Sequence, residues 1–238
     1  MQHVDLAILG AGPVGQTLAL LLARTTHARI ALIDKHGPER ARSDPRAIAL
    51  SHGSLQLLAR VLDVDALPRA PILEVHVTQS QYLGRALLRA RDEGVEMLGA
   101  VVRYADLMKA LNAALVRLGD ASNIVWRQPT EVVSLKETSD GVAWQDAFGE
   151  ADAALAARVE GGLFDEANLG RVQPETRTDR DLRRDYAQTA VVCEVECTTP
   201  ISGAAFERFG RYGPLALLPV PEPRRYSLVW CSSADEAS

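Results

Sequence analysis

Residues 4–15 read VDLAILGAGPVG, and this stretch decides the fold. Residues 4–9 are short, apolar and followed at once by glycines, which is the pattern of a buried strand. Residues 14–24 (VGQTLALLLAR) read as a helix with Leu18, Leu21 and Leu22 on one apolar stripe. Residues 29–33 (RIALI) read as a second buried strand. Strand, helix and strand within about 30 residues form a βαβ unit, whose two strands must run parallel.

The turn inside this unit, Gly10-Ala11-Gly12-Pro13-Val14-Gly15, is a G-x-G-x-x-G sequence. Alone that pattern is weak, but here a strand precedes it and a helix follows it. Gly10 permits the tight turn, Gly12 lets a pyrophosphate approach the backbone, and Gly15 lets the helix pack closely on the sheet. Pro13 lacks an amide hydrogen at a helical position that has no acceptor for one. The remaining amides and the positive end of the helix dipole face the phosphates. The second strand ends in Asp34, 24 positions past Gly10. A carboxylate there accepts hydrogen bonds from an adenosine ribose. The unit does not separate FAD from NAD, since both contain adenosine diphosphate.

Outward from this unit, Gly37 and Pro38 mark a turn within a polar stretch, residues 35–45. Residues 46–62 read as helical in their second part, and 104–118 as a helix with Leu107, Leu111, Ala114 and Leu118 on one side. Ser51 and Ser54 read as helix-start residues. Residues 72–79 (ILEVHVTQ) alternate apolar and polar, as a strand with one wet face does, and His76 reads as a sheet residue. Short strands are expected at 124–126 and 131–135. Further strands at 190–197, 214–220 and 226–231 follow one another without helices, which points to an antiparallel sheet joined by 72–79.

The 238 residues are 47% hydrophobic and 24% charged, the composition of a globular chain with a substantial core. The net charge of -5, with both signs mixed, argues against nucleic acid as a partner. No apolar run approaches the roughly 20 residues of a membrane span, and the first strand leaves no room for a leader, so a cytoplasmic location is expected. Cys193, Cys197 and Cys231 are an odd, sparse set read as free thiols. No two of the five histidines stand at metal-ligand spacing, so no metal is assigned. No catalytic triad or paired carboxylates are found either, and no catalytic side chain is assigned.

Residues 44–51 (DPRAIALS), taken with GAGPVG, resemble the start of the ubiquinone-biosynthesis FAD-dependent hydroxylases of the 2-octaprenyl-6-methoxyphenol hydroxylase kind. These are similar to the wider para-hydroxybenzoate hydroxylase class of flavin monooxygenases. The resemblance continues through 185–192 (DYAQTAVV), 206–209 (FERF), 213–219 (GPLALLP) and 226–230 (YSLVW). It implies an α/β fold: a Rossmann-like FAD-binding core with a parallel sheet, interleaved with an antiparallel-sheet substrate domain. The core would comprise residues 1–71 and 100–184, and the substrate domain 72–99 and 185–238.

By the same resemblance, Gly10, Gly12, Pro13, Val14, Gly15, Asp34 and Lys35 would hold the adenosine diphosphate part of FAD. Arg46 and Arg103 would be further FAD contacts, since a planar guanidinium suits phosphate oxygens. Glu160 and Gly161 stand where the family carries an Asp-Gly motif, one methylene longer at the carboxylate. The implied activity is hydroxylation of a polyprenylated phenol with NAD(P)H as co-substrate and O2. The implied partners are other ubiquinone-biosynthesis proteins and a peripheral contact with the inner membrane. The family also carries a later Gly-Asp motif. Gly119-Asp120 comes too early to be it, so the chain is expected to be truncated. Two alternatives stay open: a non-catalytic FAD-binding or partner-binding fragment, and an NAD-dependent dehydrogenase.

Overall fold

The structure is a computed structural model and describes residues 2–119, 123–159, 188–199 and 201–233. In chain order the elements begin with β1 (Gln2–Leu9), α1 (Pro13–Thr25), β2 (Ile30–Ile33), β3 (Ala47–Ser51) and α2 (His52–Ala59). Next come β4 (Arg69–Ile72), β5 (Glu74–Gln79), β6 (Arg85–Arg89), β7 (Gly99–Arg103), α3 (Tyr104–Leu118) and β8 (Ile124–Arg127). The rest are β9 (Ser134–Thr138), β10 (Gly141–Asp146), β11 (Gly149–Arg158), β12 (Thr189–Glu196), β13 (Ala204–Phe209), β14 (Pro214–Pro219) and β15 (Arg225–Ser232). Two compact units result: Met1–Asp44, Arg60–Leu62 and Leu107–Leu182 form the first, and Pro45–Ala59, Asp63–Asp106 and Arg183–Ser238 the second.

The first unit is built on one sheet in the order β8–β2–β1–β11–β10–β9. β8, β2, β1 and β11 are parallel, while β10 and β9 run antiparallel. Leu6 pairs with Ile30 and Leu9 with Ile33, so the expected βαβ unit is present. The antiparallel strands place Trp144, Ala151 and Ala153 in one core cluster with Val4, Ala7, Leu9, Ala31 and Ile33. β10 and β11 escape the sequence reading because both mix polar residues with alanine, which carries little strand preference. α1 buries Gly15, Gln16, Thr17, Ala19 and Leu20. The stripe expected on this helix, Leu18, Leu21 and Leu22, is only half-buried. The helix turns its small residues, Gly15 and Ala19, inward, and that allows the close approach of helix and strand.

The second unit holds two sheets. One runs β12–β15–β14–β13–β5–β6 and joins residues 74–79 of the expected 72–79 strand to the last strands, while Ile72 ends β4 in the other sheet. It is antiparallel except where β13 lies parallel to β5, with Phe206 beside His76. The His76 ring stacks on Phe206 at 5.1 Å, as befits a sheet residue. The other sheet is β3–β7–β4, antiparallel throughout. Ala70, Ile72, Val101, Ala205 and Val220 form a core shared by the two sheets. Residues 45–59, 63–71 and 100–106, assigned from sequence to the cofactor domain, lie in this unit because β3, β4 and β7 bond to one another. Ser51 closes β3, and its hydroxyl accepts from the Ser54 amide at 3.2 Å, a cap for α2. The three cysteines are free thiols.

Candidate functional site: a dinucleotide cradle

The glycine turn sits where β1 passes into α1. Gly10 has φ 112, a conformation that a side chain would strain, and its amide donates to Ile33 O at 2.8 Å. An added Cβ at Gly15 would lie 1.8 Å from the Gly10 carbonyl oxygen. Position 15 therefore tolerates only glycine while strand and helix keep this approach. Gly12 is the N-cap of α1 and Pro13 follows it inside the helix. The first bond of the helix runs from the Gln16 amide to Gly12 O at 3.0 Å. The amides of Val14 and Gly15 precede it and have no acceptor within the helix. Together with the helix dipole they offer positive potential at one spot.

Asp34, at the end of β2, is brought to this turn. One carboxylate oxygen accepts from the Ala11 amide at 2.7 Å, and the other from the His36 amide at 2.8 Å. Each oxygen keeps a lone pair for a hydroxyl donor. The Asp34 peptide is fixed on both sides. Its amide donates to Arg127 O at 3.1 Å, and its carbonyl accepts from the Thr130 amide at 2.8 Å. Lys35 is exposed beside it.

Sequence reasoning missed what stands behind Asp34. The Arg127 guanidinium is buried and donates to both oxygens of Asp146 at 2.7 Å. Asp146 also accepts from the Trp144 indole at 2.9 Å and the Phe148 amide at 2.8 Å, and Arg127 donates to Gln2 at 2.7 Å. These partners are distant in sequence, and no local pattern marks them. Gln16 was missed as well. Its amide nitrogen donates to Ala11 O and to Asn112, both at 2.9 Å. Its Oε1 is the one buried side-chain polar atom among the described residues with no hydrogen-bond partner. A glutamine in an apolar helical run is the only signal that could have drawn attention to it.

Arg46 and Arg103 belong to the second unit: Arg46 stands just before β3, and Arg103 ends β7 and pairs with Ala47. Arg46 is exposed and lies 4.8 Å over the Tyr104 ring, and its carbonyl accepts from the Tyr104 amide at 2.9 Å. The Arg103 guanidinium is clasped by two carboxylates. Nε and Nη2 donate to the two oxygens of Glu222 at 3.3 and 2.8 Å, and Nη1 donates to Glu194 and, at 3.4 Å, to Pro45 O. The Glu194 and Glu222 hydrogen bonds hold the Arg103 proton more firmly than usual, and those bonds hold both carboxyl groups below their ordinary range. Glu160 and Gly161 lie outside the described residues.

A cradle of backbone amides, a clash-limited glycine and an acid at the neighbouring strand end fit an adenosine diphosphate group. Comparison with known proteins agrees. The family model for the FAD binding domain matches residues 3–158. The ubiquinone hydroxylase UbiL of Rhodospirillum rubrum is 31% identical over 97% of this chain and 52% of its own length. The ubiquinone hydroxylase UbiM of Neisseria meningitidis is 26% identical over 92% of this chain and 48% of its own. The crystal structure of the p-nitrophenol 4-monooxygenase PnpA from Pseudomonas putida superposes with a TM-score of 0.72. It covers 99% of this chain and 59% of that one at 15% identity, so it speaks for the fold alone. The chain spans about half the length of the curated relatives it matches.

Proposed function

The chain belongs to the FAD binding domain family, and from that premise we propose that it is the FAD-binding portion of a flavin-dependent hydroxylase acting on an aromatic ring. The observation that carries the reading is the joining of the Gly10–Gly15 turn to Asp34 through the Ala11 amide. In this reading the amides of Val14 and Gly15 receive the pyrophosphate and Asp34 accepts from the ribose hydroxyls. Gly10, Gly12 and Pro13 shape the turn, and Lys35 adds positive charge at its rim. Buried Gln16 braces the turn by donating from its amide nitrogen to Ala11 O. Arg46, with an exposed guanidinium, would be a further FAD contact.

When bound, FAD supplies the oxygen-transferring chemistry, with NAD(P)H as reductant and O2 as the oxygen source. The protein's part is to bind, orient and exclude water. The ubiquinone hydroxylases among the relatives support a substrate of ubiquinone formation, which in this reading is a polyprenylated phenol. Glu160 and Gly161 would serve the nicotinamide and FAD contacts. The half-length match also fits a second reading, in which this chain binds FAD or a partner without turning over.

The test is titration of the purified protein with FAD, followed by flavin fluorescence and absorbance. Saturable binding that ADP displaces is the expected result. Failure to bind FAD, with binding of NAD instead, would remove the flavin reading. Substrate-stimulated NAD(P)H oxidation by the FAD-loaded chain separates the two readings, since the non-catalytic one gives none.

A further inference from the structure

The six-stranded sheet of the second unit carries four carboxylates on its strands: Glu74, Glu194, Glu196 and Glu207. Three of them meet a basic side chain. Glu74 pairs with His76 and Arg89, each at 3.2 Å, Glu194 pairs with Arg103 and Arg225, and Glu196 stands 3.8 Å from Arg224. Glu207 has neither an ion pair nor a hydrogen bond among the described residues. It is not a freely solvated surface acid either. Its side chain is half-buried, and that burial holds its carboxyl above the ordinary range. A partly desolvated carboxylate without a donor destabilises the fold, so packing alone gives no reason for it.

The register shows which face it takes. Side chains alternate along β13, so Phe206 and Arg208 share the face of His76, while Glu207 takes the other face with Ala205. The β3–β7–β4 sheet covers that face as far as Ala205, which lies in one core with Ala70 and Val101. The next row outward takes one residue from every strand. It reads Ala86, Val77, Glu207, Ala216, Val229 and Val192, in the strand order β6, β5, β13, β14, β15 and β12. None of the six is buried, and five are alanine or valine. The row is a shallow apolar floor across the whole sheet with one carboxylate standing on it. Along β13 the flanking positions on this face, Ala205 and Phe209, add no charge, and neither does Gln79 beside Phe209.

We propose that Glu207 determines specificity for the hydroxyl group of the substrate: a phenol lies on this floor and donates its hydroxyl hydrogen to the Glu207 carboxylate. The choice of a phenol rests on the hydroxylase reading, whereas the unpaired acceptor and the floor are features of the sheet itself. Small-molecule sites are mostly apolar, with a few polar groups that fix orientation. A flat ring on alanine and valine gains from the apolar surface it covers. Its hydroxyl then supplies the donor that the described chain withholds from Glu207. An analogue without the hydroxyl leaves the carboxylate unpaired, which is how a polar group in a site rejects the wrong ligand. A cationic ligand fits less well, because the row holds no aromatic ring to face an ammonium group.

The test is calorimetric titration of the 238-residue chain, without cofactor, with 4-propylphenol and with its methyl ether. The phenol should bind about ten-fold more tightly than the ether, or better. Glu207→Gln keeps a neutral acceptor and should narrow that preference to about three-fold. Glu207→Leu should abolish the preference and leave the ether bound at least as tightly as by the parent. Ala216→Leu, which fills the floor beside Glu207, should weaken both ligands. Melting each variant separates a loss through unfolding from a loss at the site. No binding of the phenol, equal binding of phenol and ether, or a preference that survives Glu207→Leu would overturn the proposal. So would unchanged binding by Ala216→Leu, or tighter binding of 4-propylbenzylamine than of the phenol. FAD titration keeps this inference apart from the flavin reading. FAD binding without phenol preference overturns the role of Glu207 alone, and phenol preference without FAD binding overturns the flavin reading alone.

Discussion

At Gly15 a single methyl group decides whether the cradle exists. Gly15→Ala would set a Cβ 1.8 Å from Gly10 O, and both partners are backbone, so neither yields cheaply. The expected cost is about 2 kcal/mol or more in denaturant unfolding, with loss of FAD binding by fluorescence titration. Asp34→Asn removes the charge and the acceptor for the His36 amide, while the amide oxygen can still accept from Ala11 N. Hydrogen bonds to a charged partner contribute about 1.5–3 kcal/mol, so FAD affinity should fall about ten-fold or more, with a smaller drop in the melting temperature. An unchanged affinity would take the ribose contact away from Asp34. Arg103 is a different case. Its fork is already engaged with Glu222, so Arg103→Ala should lower stability yet change FAD affinity by less than about three-fold. A much larger loss of affinity would make it a cofactor ligand that exchanges its carboxylates for phosphate. The glycine turn and Asp34 were legible from sequence because their partners lie within one βαβ unit. The carboxylates on Arg103 were not, because they lie 91 and 119 positions away.

Between elements, buried polar pairs do what backbone pairing cannot. Arg127 at the end of β8 and Asp146 at the end of β10 are both buried, and every hydrogen-bonding oxygen of Asp146 is occupied. Removing one partner strands the other charge, so Asp146→Ala should cost about 3–5 kcal/mol in urea unfolding. The same change should loosen the 127–130 segment that grips the Asp34 peptide. In the second unit, β7 is tied to β12 and to the β14–β15 turn through Arg103, Glu194 and Glu222. Both carboxyl groups titrate below their ordinary range, so their contribution is present above the unfolded pKa of about 4.3 and lost as pH falls through the lowered values. Thermal melts from near neutrality down to about pH 3 should therefore drop more steeply for the parent than for Glu222→Gln. Parallel slopes would deny the clasp a stabilising role. None of these pairings is visible as periodicity. The strands β5, β12, β14 and β15 are legible in the sequence, β5 by its apolar–polar alternation, whereas β10 and β11, with their alanines and acids, look like loop.

Across the molecule, a ligand that binds only the folded chain raises its stability by mass action. At a concentration of 100 Kd, FAD should add about 2.7 kcal/mol, read as a melting shift of roughly 5–10 °C, and NAD at the same concentration, which shares only the adenosine diphosphate half, should add less. An equal response to NAD would return the choice of dinucleotide to open. The sequence by itself determined the parallel βαβ core, the glycine turn, the acid at its strand end and a second, largely antiparallel sheet. These rest on short-range rules: strand and helix periodicities, and the backbone freedom of glycine. Only the tertiary structure decided that β11 lies beside β1, that β13 runs parallel to β5, and that Arg127 and Arg103 are held by carboxylates. Strand order and buried charge pairing depend on which distant segments share a core. That is a property of packing in three dimensions, and it leaves no period in the chain.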